Sequence, residues 1–205
     1  MGVQMVIWLL QACTSLHSIQ GAKTIEPETW EVAMGASLQH NNSLSLSIGI
    51  PVPQMVVSTR YGWKPNIDVG AQLYLGGGTM DVRYQFAEMG DWYLAIAPTI
   101  GGLYTGVYGN VDVRLPLRAQ TDLNERWSLT LGMTPMTQHT LIHLDPMQET
   151  LTNSLIGGTV RLERSGKRLR WGYTIDVLDS IGRSTPTSLN YGVDFSWIRQ
   201  PKSTK

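Results

Sequence analysis

The residues best equipped for chemistry in this chain gather in one stretch, "TQHTLIHLDP", at positions 137–146. His139, His143 and Asp145 are of types that hold zinc, and imidazoles four residues apart face one way if the segment is helical. No third and fourth ligand appear at a recognisable spacing, so the stretch reads as a long loop over the fold beneath it, with no metal or cofactor. The same histidines could act as a base toward Ser154, because acyl transfer needs nucleophile and base within hydrogen-bond reach. No nucleophile-elbow motif surrounds that serine, and no catalytic residue is expected.

The other reactive position is Cys13, the sole cysteine, at the end of the apolar run "MVIWLLQACTS". A lone cysteine excludes an internal disulfide framework. Leu10-Gln11-Ala12-Cys13 resembles the lipobox of bacterial lipoproteins, which implies that Cys13 is acylated as the first mature residue. Residues 1–12 are then the remnant of an export signal. The opening "MGVQ" departs from that pattern in lacking Lys and Arg. The other reading of Cys13 is a small buried hydrophobe with an inert thiol. The adjoining stretch, "SLHSIQGAKTIEPE", is polar, and residues 13–29 are expected to be an N-terminal tether.

Bulk composition narrows the class. Charged residues make up 16% of the chain, against about a quarter in soluble domains. With 16 basic and 16 acidic residues and no basic face, a nucleic-acid partner is excluded. No run approaches the length of apolar sequence that a spanning helix needs. Closed β-structure is the other way to satisfy every backbone group in lipid.

From Trp30 onward the chain alternates apolar and polar residues with period two, the signature of strands. Ten segments show it: 30–38, 54–61, 67–75, 80–86, 91–100, 108–117, 126–133, 154–163, 169–177 and 189–197. The alternation is weakest at 54–61, where Met55, Val57, Thr59 and Tyr61 oppose Arg60, and Pro98 weakens the fifth segment. The links after the even-numbered segments, such as "GWKPN" and "RSGKR", are compact. Those after the first, seventh and ninth are long, and 134–153 is the longest. Short turns at one end and long loops at the other are the form of an outer-membrane barrel.

Two features favour lipid over water around this barrel. Aromatic residues recur at the ends of the apolar faces, at Trp30, Tyr61, Trp92, Trp127, Tyr191 and Trp197, as interfacial girdles do. The opposite faces carry single charges of both signs: Asp68, Asp81, Arg83, Asp112, Arg114, Arg161, Glu163, Arg170, Asp176 and Asp194. Interspersed with small residues, these fit a narrow lumen filled by ion pairs. The segments "SIQGAKTIEPETW", "STRYGWKPNIDVGAQL" and "RYQFAEMGDWYLAIAPTIG" resemble small outer-membrane β-barrel proteins of Gram-negative bacteria. That likeness covers roughly residues 19–118 and implies fold and location, not activity.

The expectation is therefore an all-β, closed antiparallel transmembrane β-barrel of about ten strands, with eight or twelve as alternatives. It spans 30–198, precedes a C-terminal tail at 199–205, and lies in the bacterial outer membrane. Its partners are membrane lipid and another envelope protein. A structural or interaction role with a charge-filled lumen is expected. A narrow channel, a lipid-modifying enzyme at the membrane rim and a soluble lipocalin-like barrel stay open.

Overall fold

A computed structural model describes residues 20–41, 52–104, 108–144, 147–166, 168–181 and 188–199. The Cys13 lipobox, the C-terminal tail beyond Arg199 and Asp145 lie outside these residues. The chain forms β1 (Trp30–Asn41), β2 (Val52–Lys64), β3 (Ile67–Tyr74), β4 (Gly77–Met89), β5 (Trp92–Ile96) and β6 (Thr99–Tyr104). It continues with β7 (Tyr108–Arg114), β8 (Leu117–Asp122), β9 (Trp127–Leu144), β10 (Met147–Ser165), β11 (Leu169–Ser180) and β12 (Ser188–Arg199).

All pairings are antiparallel, and β12 closes on β1 from Trp30 opposite Arg199 to Asn41 opposite Ser188. Segments β5 and β6 both pair with β4, while β7 and β8 both pair with β9. Each pair is thus one spanning strand interrupted at a proline, Pro98 or Pro116, which has no N–H to give the ladder. The proline carbonyls still accept: Val82 N–H donates to Pro98 O at 3.2 Å and Ala97 N–H to Pro116 O at 2.9 Å. Counted as spanning strands, the barrel has ten.

Links of a few residues join β2 to β3, β4 to β5, β8 to β9 and β10 to β11 at one end. Asn66 and Gly90 make two of these turns with φ of 63° and 61°, a conformation open to asparagine and glycine. β1 begins and β12 ends at this same rim, which in such barrels faces the periplasm. At the opposite rim the expected loop at 134–153 is instead mostly strand. β9 and β10 run 18 and 19 residues and stay in register out to Leu144 opposite Met147. The stretch from Met136 to Leu144 alone is about 25 Å of strand at roughly 3.3 Å per residue.

The sidedness of the strands decides the solvent. Outward residues are apolar and open, including Met34, Val82, Val160, Ile175 and Phe195, whereas Asp112 and Arg161 inside are 0% and 1% exposed. A soluble lipocalin-like barrel would have these faces exchanged, and that alternative is overturned. An apolar belt on every strand far exceeds the few hundred Å² that a soluble monomer exposes. A closed antiparallel barrel with an even strand count and this belt is an integral protein of the bacterial outer membrane.

Every described tryptophan, Trp30, Trp63, Trp92, Trp127, Trp171 and Trp197, lies at or near the short-turn end of its strand. Trp30 and Tyr61 stack with ring centroids 4.9 Å apart. Arg164 sits opposite both Trp127 and Trp171, its guanidinium 5.9 and 6.0 Å from their rings. Tyr191 does not join this band. It lies farther up β12, opposite Leu38 and Ile175.

Val160 faces lipid in mid-belt, flanked by Leu131 and Ile175. Val160→Arg is expected to destabilise the barrel in bilayers by about 2–4 kcal/mol, measured by urea titration in vesicles. An effect within about 0.5 kcal/mol, normal for a water-facing site, would contradict the membrane placement.

Candidate functional site: the barrel lumen

Inward-facing positions on the strands carry the polar side chains, and registry across neighbouring strands gathers them. On β2, β3 and β4, Arg60, Gly70 and Asp81 lie directly opposite one another. Arg60 reaches over Gly70, donating to Asp81 Oδ2 at 2.8 Å and pairing through Nη1 with Asp68. Arg83 donates from Nε to both oxygens of Asp68 at 3.1 Å. A Cβ on Gly70 would lie 2.7 Å from the Arg60 Cζ, so the side chain has to be absent there.

The arrangement recurs across the barrel. Glu163, Gly172 and Asp194 face each other on β10, β11 and β12, with Arg161 one inward position up β10. Arg161 passes over Gly172, donates to Asp194 Oδ1 at 2.8 Å and Glu163 Oε2 at 3.0 Å, and also bonds Thr174. A Cβ on Gly172 would meet its guanidinium carbon at 2.6 Å. Arg170 lies 3.8 Å from both Glu163 and Glu31, tying in β1. A third group lies higher: Arg114 donates to Asp112 Oδ2 at 3.0 Å, and Thr159 donates to Asp176 at 2.7 Å. Above the lower clusters the lining turns neutral, as where Gln54 donates to Gln39 at 2.8 Å.

Buried charges such as Arg60, Asp68, Arg161 and Asp194 are tolerated because they are paired and hydrogen-bonded; alone, each would cost several kcal/mol. All ten charges anticipated from sequence face inward on strands. Arg60 and Glu31 belong with them but were missed. Arg60 stood out only as the polar member of the weakest alternating segment. Glu31 is the second residue of the first strand, close to what reads as a linker.

That linker is the larger surprise. Residues 20–29, anticipated as tether, run inside the barrel from the short-turn rim. Ala22, Ile25 and Thr29 are buried, and Arg83 donates to Gly21 O at 2.8 Å. Beside this segment a cavity of about 540 Å³ opens at the same rim, lined by Gln20, Gly21 and Lys23 of the segment and by Glu31, Ser58 and Glu163 of the strands.

The histidine cluster does not assemble as a helical turn would place it. His139 and His143 lie on β9, where four residues span about 13 Å of strand. That exceeds what one ion can bridge. His139 Nδ1 lies 3.0 Å from Thr152 Oγ1. Ser154 is opposite Thr137, and the hydroxyl beside His139 is that of Thr152, its direct partner across the hairpin. Among the described residues no group of three or more metal-ligating side chains comes together.

No protein-family model matches this sequence, and no curated protein does. Several solved structures have a similar course of chain. Neisserial surface protein A is 10% identical, with 82% of this chain and 96% of that one covered and a TM-score of 0.43. Ail, the attachment invasion locus protein of Yersinia pestis, is 9% identical over 85% and 100%, at 0.42. The COG4313 outer membrane channel from Pseudomonas putida F1 is 7% identical over 90% and 100%, at 0.49. Likeness at this level carries no argument about activity.

Proposed function

We propose that this barrel is a closed, non-catalytic scaffold of the outer membrane rather than a conduit. The supporting observation is the pair of buried ionic clusters that narrow the lumen from two facing walls, Arg60–Asp68–Asp81–Arg83 on β2–β4 and Arg161–Glu163–Asp194 on β10–β12. The tryptophan and tyrosine band at the short-turn rim fits an anchor in lipid headgroups. The β9–β10 hairpin, standing above the apolar belt, is the surface the scaffold offers to another envelope protein. Acylation at Cys13 would add a second lipid attachment, which the intact mass of protein purified from membranes reports directly.

A closed lumen has a direct electrical test. The full chain reconstituted in planar bilayers is expected to give no discrete conductance steps. Steady steps that change in size on Arg83→Ala would favour the channel reading instead.

A further inference from the structure

We propose that the inner wall built by β3, β4 and β8 is a binding site for an extended peptide, held in this structure by the chain's own residues Gln20–Thr29 acting as a removable plug. This rests on the closed-lumen reading above and names the part that closes it.

The wall reads main chain. Gln120 Oε1 accepts the N–H groups of Ala22 at 2.8 Å and Lys23 at 3.1 Å. Gln85 Oε1 accepts that of Thr24 at 3.1 Å, and Asp68 Oδ2 that of Ile25 at 3.1 Å. Arg83 supplies the complementary donor to the Gly21 carbonyl. Side chains that satisfy consecutive backbone groups recognise an extended strand whatever its sequence, and pockets between them add selectivity.

Three features make the fit selective. A side chain at Gly21 would displace the Gln120 amide, whose Oε1 a Cβ would overlap, and with it the bonds to the Ala22 and Lys23 N–H groups. Gly62 is a notch in the wall, where a Cβ would lie 2.8 Å from the carbonyl carbon of Glu26. The Gln20 amide bridges unlike charges, donating to Asp81 Oδ2 at 3.1 Å and accepting from Arg118 at 2.9 Å.

Two further observations make the segment separable from the barrel. The strand ladder starts at Trp30, paired with both β2 and β12, and residues 20–27 take no part in it. Glu28 and Thr29 exchange main-chain bonds with Gly62 of β2 at the point where the segment leaves the barrel wall. The turn into the lumen passes through Glu28 at φ 62°, a left-handed conformation that disfavours a glutamate, pinned by Glu28 N–H to Gly62 O at 2.8 Å. The segment is held largely by polar contacts that water can replace, and the cavity beside it would merge with the space it leaves.

The test uses the full chain and a Gly21→Leu variant in planar bilayers, with heat-modifiable migration on gels confirming that both barrels are folded. Gly21 is outside every strand, so the substitution unseats the plug and leaves the ladder intact. The full chain is expected to be silent, and Gly21→Leu to raise the conducting fraction roughly tenfold or more, as expected when a forced side chain weakens seating. A synthetic peptide of residues 18–30, added to the short-turn side, is expected to close the variant, and the same peptide carrying Gly21→Leu to leave it open. A folded variant that stays silent overturns the plug alone, because the ionic clusters then close the lumen unaided. A conducting variant that the native peptide fails to block overturns the peptide site. A full chain that conducts as strongly as the variant overturns the plug and the closed scaffold together.

Discussion

Arg161→Met is expected to lower the unfolding free energy of the barrel by about 3–5 kcal/mol, the cost of leaving buried charges without their partner. Arg161 is 1% exposed and serves Asp194, Glu163 and Thr174 at once. Its removal takes from Asp194 and Glu163 their short charge-assisted bonds, leaving Glu163 with Arg170 at 3.8 Å. Urea titration in detergent, followed by tryptophan emission, measures the change. The triple variant Arg161→Met, Glu163→Gln, Asp194→Asn is expected to recover most of the loss, since neutral amides can bond each other without the desolvation cost of ions. A single variant as stable as the parent would mean that these carboxylates reach water, and the lumen would then be open rather than filled.

Gly70→Val should be nearly as damaging although it removes no charged residue. The added side chain occupies the space through which Arg60 crosses from β2 to Asp81 on β4. Forcing atoms into a packed interior costs about 1–3 kcal/mol, and displacing Arg60 adds the loss of its pairings. Gly158→Val is the matched control. Gly158 is on the outward face, and a Cβ there meets nothing within 4 Å. Its expected effect is within about 0.5 kcal/mol. Equal losses at the two positions would indicate general strand propensity instead of a steric slot over the lumen.

Which side of each strand faces lipid was legible from the sequence, because a period of two assigns every residue to one face without knowledge of the partners. Asp81 and Arg83, or Asp194 and Phe195, could be sorted in this way. Which charges meet was not legible. That depends on register between strands, and only register sets Gly70 between Arg60 and Asp81. The glycine on a luminal face is the trace such a crossing leaves in a sequence, but it does not say whose side chain passes over it.

The hairpin at 134–153 was misread as a loop because its residues lack the apolar alternation of the lower strands. Above the membrane neither face needs to be apolar, so the pattern fades while the backbone ladder continues to Leu144 and Met147. Residues 20–29 escaped notice for a related reason. They are held through main-chain groups, and a segment recognised by its backbone shows no periodicity in its side chains.

The gathering of the tryptophans at one rim gives the protein an optical polarity. Apart from Trp8, which lies outside the described residues, all the indole emission originates near a single leaflet. A lipid-bound quencher confined to the outer leaflet of a vesicle should darken molecules inserted in one direction and spare those inserted in the other. The fraction of light lost would then report the orientation of a reconstituted population, with no label attached to the protein.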